Sequence, residues 1–167
     1  IPTSTPKLLV AFIHEKNAEI SGWTYAHELG RMHLQQTFED QISTTCYDNA
    51  TEENADDLLA KAIADGNNLI FTTSPPLLKA SLKAAIEHPE VKILNCSLNT
   101  SHRYIRTYYA RMYEAKFLMG AIAGAMSKNG KIGYIADYPI FGMTANINAF
   151  ALGAKTVSYT HLRAHET

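Results

Sequence analysis

The sequence has 167 residues, which is long enough for a folded domain with its own core. It carries 15 basic and 16 acidic residues, for a formal net charge of −1. This balance argues against a surface for polyanions and therefore against nucleic acid as a partner. The longest apolar run, residues 117–126, is about half of what a bilayer crossing requires, so it predicts a buried helix.

Short β-rich runs alternate with helical patterns from Lys7 onward, after a polar, proline-bearing stretch, residues 1–6, that is typical of a linker. The predicted strands are 8–13, 42–47, 68–72, 91–96 and 131–136, and the predicted helices are 25–36, 55–64, 77–87, 110–127 and 144–154. This alternation predicts an α/β fold with a parallel sheet and helices on both of its faces, which makes three layers. Ser74 is predicted to cap the helix that begins at the following prolines. Gly120 and Gly124, four residues apart, are predicted to let another backbone approach closely.

The carboxyl ends of parallel strands lie along one edge of a sheet, so the loops that follow them are predicted to meet there. These loops are rich in hydroxyls, amides and aromatic side chains, and they comprise residues 14–24, 47–51, 72–74, 96–99 and 137–142. They hold few partnered acid-base groups, which favours recognition of a neutral polar ligand over catalysis. Trp23, the only tryptophan, lies among them. It can stack on a flat ligand, or it can simply pack where strand and helix meet.

Motifs that carry catalysis or hold cofactors are missing from this sequence. No G-x-G-x-x-G follows the first strand, and no G-x-S-x-G is present. His27 and His33 are six residues apart, which is not the i, i+4 spacing of a zinc pair. We therefore predict no enzyme activity, no cofactor and no metal site. His14 and Glu15 follow the first strand, where they could meet a ligand, but a solvated loop pair is the commoner arrangement and is the one we predict.

Four blocks of sequence, in this order, resemble one protein family. They are residues 22–31 (GWTYAHELGR), 108–124 (YYARMYEAKFLMGAIAG), 130–134 (GKIGY) and 148–154 (NAFALGA). They look like the basic membrane protein family, the PnrA-like substrate-binding proteins of ABC transporters. The likeness covers about residues 7–155, and the joint occurrence of the blocks is more specific than any one of them.

The resemblance implies a type I periplasmic-binding-protein fold, in which two α/β lobes joined by a hinge close on a ligand. It implies a purine nucleoside or a similar small polar ligand, an ABC permease as partner, and a membrane-anchored lipoprotein outside the cytoplasm. The first lobe with its hinge crossing is expected at 7–103, and the start of the second lobe at 104–156. The predicted ligand-binding residues are Ser21, Trp23, Thr24, Thr72, Thr73, Ser74 and Asp137. The resemblance assigns Trp23 as the residue that stacks on the ligand. The other residues are assigned by their positions in the loops.

Two features leave the ligand and the binding competence of the chain open. The first loop, residues 14–20, lacks the glycine- and aspartate-rich pattern common among relatives. Residues 157–167 (VSYTHLRAHET) resemble the translation of a sequencing-library adapter, and we expect them to be an assembly artefact. With most of the second lobe missing, we expect weak or absent ligand binding by the chain on its own.

Two other classes of function remain open at this stage. The same fold serves cytoplasmic ligand-sensing regulators, in which residues 1–6 would link to another domain. An α/β enzyme is the third possibility, which the missing motifs disfavour.

Overall fold

The computed structural model describes residues 7–98, 101–136 and 142–164. They belong to two compact units, Ile1–Tyr108 and Tyr109–Thr167. In the first unit the elements are β1 (Leu8–Ile13), α1 (Gly22–Phe38), β2 (Ile42–Tyr47), α2 (Ala55–Ala64), β3 (Leu69–Thr72), α3 (Leu78–Glu87), β4 (Lys92–Cys96) and β5 (Ile105–Tyr108). In the second unit they are α4 (Met112–Met126) and α5 (Met143–Ala164).

The five strands form one parallel sheet in the order β2-β1-β3-β4-β5. Ile13, the last residue of β1, pairs with Tyr47 on one side and with Thr72 on the other. Thr72 in turn pairs with Asn95 of β4. The carboxyl ends of all five strands therefore lie along one edge, as the sequence predicts, and the predicted α/β class with a parallel sheet is confirmed.

Helices cover both faces of this sheet. On one face α2 and α3 pack over an apolar core, whose members include Ala11, Ile13, Leu59, Ile70, Leu77 and Ile93. Leu59 and Leu77 are essentially inaccessible to solvent, and each contributes about 1.5–3 kcal/mol by burial. On the other face α1 lies over Phe12, Thr44 and Cys46, which alternate with the core positions along β1 and β2. The result is the predicted three-layer arrangement.

The starts of two helices differ in how they are capped. Ser21 caps α1, because its hydroxyl accepts a hydrogen bond from the backbone amide of Thr24 at 3.2 Å. The predicted cap at Ser74 is wrong, since its side chain makes no capping bond and the turn at Pro75–Leu77 is 3-10 helical, with α3 following it. Proline lacks a backbone N–H, so the first turn after Ser74 has fewer amides for a cap to satisfy.

The predicted fifth strand, residues 131–136, is wrong. None of these residues is in a strand, and Ile135 is 97% exposed. A strand needs a hydrogen-bonded neighbour, and in the described part of the second unit only helices are present. The fifth strand is instead β5, which pairs with β4 and extends the sheet to Tyr108. The sheet thus runs five residues beyond 103, the predicted end of the first lobe, while the lobe limits themselves stay a prediction.

The second unit is built on close contact between α4 and α5. A methyl group added at Gly120 would overlap the backbone carbonyl of Phe150, and one at Gly153 would overlap that of Phe117. Gly124 faces the backbone of Ala154 in the same way. The predicted close approach at Gly120 and Gly124 is therefore confirmed, with α5 as the partner. None of the helices among the described residues is long and apolar enough to span a membrane.

Candidate functional site

The carboxyl edge of the sheet carries Trp23, on the first turn of α1. Its indole Nε1–H donates a hydrogen bond of 2.6 Å to the backbone carbonyl of Thr73, the residue that follows β3. The indole is partly exposed. One polar atom thus ties the ring to the end of a central strand, and this fixes the plane of the aromatic surface at the edge.

Other aromatic rings continue from Trp23 along the same side of the sheet. The His27 ring lies 5.2 Å from the Trp23 ring between centroids, and Tyr108 lies 6.3 Å from His27. Phe71 packs against Tyr108 at 5.9 Å and stacks on Phe12 at 4.9 Å. Burial raises the pKa of the Tyr108 phenol, so it is protonated throughout the physiological range. The edge is therefore an aromatic wall that includes a protonated phenol, which suits a flat neutral ligand.

The predicted hydroxyl residues lie close to this wall, but most are buried. Thr24, Thr72, Thr73 and Ser74 are all at most 2% exposed. Thr72 shares a 2.8 Å hydrogen bond with Ser81 of α3. Ser21 is committed to capping α1, and Asp137 lies outside the described residues. In this structure the hydroxyls of Ser21, Thr72 and Thr73 therefore support the site from within, and their contact with a ligand stays a prediction.

Three buried polar atoms at the ends of β3 and β4 have no hydrogen-bond partner within the described part of the chain. They are Ser74 Oγ, Asn95 Oδ1 and Ser97 Oγ. The amide of Asn95 is oriented by two donated bonds, to Thr72 Oγ1 and to the Ser74 carbonyl, each 2.9 Å. Its oxygen is therefore an acceptor that no described residue satisfies. Buried polar atoms of this kind usually bind an ordered water or a ligand, so they mark the polar part of the edge.

His14, predicted to be solvated, is fully buried, and this prediction is wrong. Its Nδ1 lies 2.9 Å from Thr73 Oγ1, and its Nε2 lies 3.1 Å from a carboxylate oxygen of Glu28 on α1. The carboxylate of Glu28 explains why the His14 ring can be buried, because it is a hydrogen-bond partner for Nε2, which loses contact with water on burial. Burial lowers the pKa of His14 despite the nearby carboxylate, so at neutral pH the contact is a hydrogen bond from a neutral imidazole.

Glu28 is the centre of this buried network. The guanidinium of Arg31 donates to both of its oxygens at 2.8–3.0 Å, and the thiol of Cys46 donates to one of them at 2.9 Å. These donors, Arg31 first among them, lower the pKa of Glu28 to about 2. Burial, followed by the hydrogen bond to Glu28, raises the pKa of Cys46 to about 12. The carboxylate is thus ionised and the thiol protonated at neutral pH.

His14, Glu28 and Cys46 also bring three metal-ligand atoms within 4.8 Å of one another. Two features oppose a cation there. The guanidinium of Arg31 already occupies the carboxylate, and a thiol must lose its proton to bind a metal. The cluster is better explained as an internal hydrogen-bond network.

The sequence interpretation missed several residues of this edge: His14 as a buried group, His27, Asn95 and Tyr108. Ser97 lies in the loop 96–99 that was predicted at this edge, but it was not among the predicted ligand-binding residues. A signal was present for some of them. Asn95 lies within a predicted strand, where a polar side chain between apolar neighbours indicates a buried hydrogen bond. Tyr108 ends the run Ile105–Tyr108, in which isoleucine, threonine and tyrosine are residues that favour strands.

The parallel sheet, its two helical layers and a polar, aromatic edge define one lobe of a type I periplasmic-binding protein. Solved structures of this fold match closely, among them an ABC transporter solute-binding protein of Burkholderia multivorans. The TM-score is 0.70 at 14% identity, over 92% of this chain and 58% of that one. The solved structures that match include transcriptional regulators as well as solute-binding proteins.

The sequence comparisons identify the family. A family model described as "ABC transporter substrate-binding protein PnrA-like" matches residues 7–160, so the chain belongs to this family. A purine-binding protein of Brucella abortus is 35% identical over 153 residues, 91% of this chain and 44% of the relative. A putative ABC transporter glucose-binding protein of Haloferax volcanii is 25% identical over 158 residues, 94% of this chain and 40% of the relative. The chain spans less than half the length of these two relatives.

Proposed function

We propose that this chain supplies one lobe of the ligand site in an ABC transporter substrate-binding protein, and that the ligand is a purine base or nucleoside. The observation that carries the proposal is the placement of Trp23. The indole ring stands at the carboxyl edge of the sheet, with its only polar atom bonded to the backbone carbonyl of Thr73. Such a ring offers its face for stacking on a planar heterocycle.

The chemistry of the surrounding edge fits a neutral ligand. His14 is uncharged at neutral pH and Tyr108 is protonated, because burial shifts the pKa of each in that direction. Within the described residues, the buried hydroxyls of Ser74 and Ser97 and the buried side-chain oxygen of Asn95 have no hydrogen-bond partner. A purine carries both donors and acceptors at its edges, which such groups can satisfy. The purine-binding relative supports the same ligand class.

Capture by closure of two lobes is the mechanism that we propose for the whole protein. Stacking on Trp23 orients the ring, and the polar groups at the strand ends select its edges. The family supports an ABC permease as partner and a site of action outside the cytoplasm, with the ligand released unchanged and no reaction catalysed.

The test is the affinity of the protein encoded by the complete gene for adenine, adenosine, guanosine and glucose, measured by isothermal titration. The variant Trp23→Ala removes the stacking surface, and Tyr25→Ala is the matched control, an exposed aromatic on the same helix. A stack contributes on the order of 1 kcal/mol beyond area burial. We expect Trp23→Ala to weaken purine binding at least several-fold and Tyr25→Ala to leave it unchanged.

Two results would contradict the proposal in different ways. Equal affinity of wild type and Trp23→Ala would show that Trp23 only packs against the strand end. Binding of glucose without binding of purines would refute the ligand class and leave the transporter family intact. A ligand-sensing regulator remains the alternative for the whole protein. A DNA-binding or signalling domain in the complete reading frame would favour it.

A further inference from the structure

Trp23 is held by a chain of hydrogen bonds that begins at Arg31, two turns further along the same helix, and passes through the ends of β1 and β3. Arg31 donates to Thr44 of β2 at 2.8 Å and to both oxygens of Glu28. Glu28 accepts from His14, and His14 contacts the hydroxyl of Thr73. Each side chain in this series is therefore oriented by the one before it.

The ionised carboxylate decides where the proton of His14 lies. A carboxylate with a pKa of about 2 can only accept hydrogen bonds at neutral pH. The Nε2 atom of His14, 3.1 Å from Glu28, must therefore carry the hydrogen. In the neutral ring Nδ1 is then an acceptor, and it requires a donor.

Thr73 is the donor that the geometry provides. Its hydroxyl lies 2.9 Å from His14 Nδ1 and 3.0 Å from the backbone carbonyl of Ile13. One hydroxyl hydrogen cannot serve both acceptors. With neutral His14 it points to Nδ1. With protonated His14 the ring donates to Thr73, and the hydroxyl turns to Ile13.

The main chain of Thr73 transmits this state to the indole. Its amide donates to the Ile13 carbonyl at 3.0 Å, and its carbonyl accepts the indole N–H of Trp23 at 2.6 Å. In the protonated state the hydroxyl becomes a second donor to that same carbonyl of Ile13, beside the Thr73 amide. A change at the side chain of Thr73 thus reaches the atom that holds the ring.

We propose that His14 and Glu28 are positioning residues for Trp23, acting through Thr73, and that protonation of His14 loosens the indole. This inference rests on the proposed role of Trp23 in stacking. The charged or titratable groups that face His14 are Glu28 and His27 of α1 and Asp48 after β2, with Cys46 of β2 reached through Glu28. Burial outweighs the carboxylates and keeps His14 neutral at pH 7.

The experiment uses Trp23 as its own reporter, because the 167-residue chain has one tryptophan. Emission maximum and acrylamide quenching are measured from pH 8 to pH 4.5 in the absence of ligand. We expect a red shift and stronger quenching as pH falls, with a midpoint below 6.5, the ordinary pKa of histidine. The transition should persist in His27→Gln and disappear in His14→Gln. Its loss in His27→Gln would assign the effect to the neighbouring ring and overturn the proposal.

A second arm at pH 7 does not depend on titration or on the folding of His14→Gln. Thr73→Val removes the hydroxyl and keeps the backbone carbonyl, and we expect stronger quenching of Trp23 in this variant. Thr73→Ser keeps a hydroxyl and should show the same quenching as the wild type. Asn67→Ala is the matched control, since it removes a buried bond to the Ala62 carbonyl at the opposite end of β3. Equal quenching in Thr73→Val and Asn67→Ala would indicate general loosening and refute the positioning role.

Adenine affinity, measured on the protein encoded by the complete gene, links this role to the proposed function. Loss of one buried hydrogen bond predicts about fivefold weaker binding by Thr73→Val. If the wild-type protein does not bind adenine, the proposed ligand fails while the ligand-free fluorescence result still decides the positioning role. If fluorescence changes as expected and affinity does not, Trp23 is positioned by His14 but does not stack on the ligand, which refutes the proposed role of Trp23 in binding and leaves the positioning role supported.

Discussion

The carboxylate of Glu28 makes a strong prediction about stability in acid. Its pKa is lowered from 4.5 to about 2 in the folded chain, first by Arg31 and further by Cys46 and His14. Each pKa unit is worth about 1.4 kcal/mol, so the full shift corresponds to about 3 kcal/mol. The side chain is 18% exposed, and solvent screening reduces the contribution to about 2 kcal/mol.

The sign follows from the direction of the shift. A carboxylate whose pKa is lowered by folding stabilises the native state above its unfolded pKa, and this contribution is lost as pH falls from about 4.5 toward 2. In Glu28→Gln the titrating group is gone. The difference in the free energy of unfolding between wild type and Glu28→Gln should therefore be about 2 kcal/mol larger at pH 6 than near pH 2.

Urea titrations followed by Trp23 fluorescence measure this difference, because the reporter lies in the same unit as Glu28. Glu87→Gln, an exposed carboxylate on α3, is the control for the loss of one negative charge. An equal difference between wild type and Glu28→Gln at both pH values would refute the reasoning. It would show that the carboxylate does not hold its proton more weakly in the folded chain.

Three further predictions rest on other features. Gly120→Ala should destabilise the second unit by about 1–3 kcal/mol through overpacking. Gly30→Ala, with open space around it, should instead stabilise α1 by about 0.5–1 kcal/mol. Thermal unfolding followed by circular dichroism compares the two variants, and equal effects would contradict the close contact between α4 and α5. Cys46 and Cys96 should react slowly with a disulfide reagent at pH 8 in the folded chain and fast in urea. The reason is that burial raises the pKa of the two thiols, to about 12 and about 11. Rapid reaction of the folded chain would contradict their burial. Since the folded pKa of His14 is lowered, wild-type stability should fall as pH drops from 7 through 6.5 and below, and His14→Gln should lack this slope.

The order of strands and helices in the first unit could be predicted because each element carries its own local signal. Ile42–Tyr47 and Leu8–Ile13 coincide with predicted strands residue for residue. By contrast, residues 131–136 have the composition of a strand, but a strand exists only where a neighbour completes its hydrogen bonds. β5 was missed for the opposite reason: its four residues give a weak signal, and pairing with β4 stabilises it.

Topology was sufficient to predict which residues lie at the edge of the sheet, but it did not show how their side chains are partnered. Parallel strands bring Trp23 and Thr73 to one edge, and the structure joins them by a hydrogen bond. The burial of His14 could not be predicted in the same way, because it depends on Glu28, fourteen residues away, and on Thr73, fifty-nine residues away. Sequence spacing does not show which polar side chains satisfy each other across elements.

The bond between Trp23 and Thr73 also limits what the ring can recognise. Because the indole hydrogen is already shared with a backbone carbonyl, the ring offers a stacked molecule only its π surface. Adenine, guanine and other flat heterocycles of similar size are nearly equivalent to such a surface, since each has a π face. If Trp23 stacks on the ligand as we propose, discrimination among them must come from elsewhere on the edge. The side-chain oxygen of Asn95, an acceptor without a partner among the described residues, would then favour a ring that carries an amino group over one that carries a carbonyl at the same position.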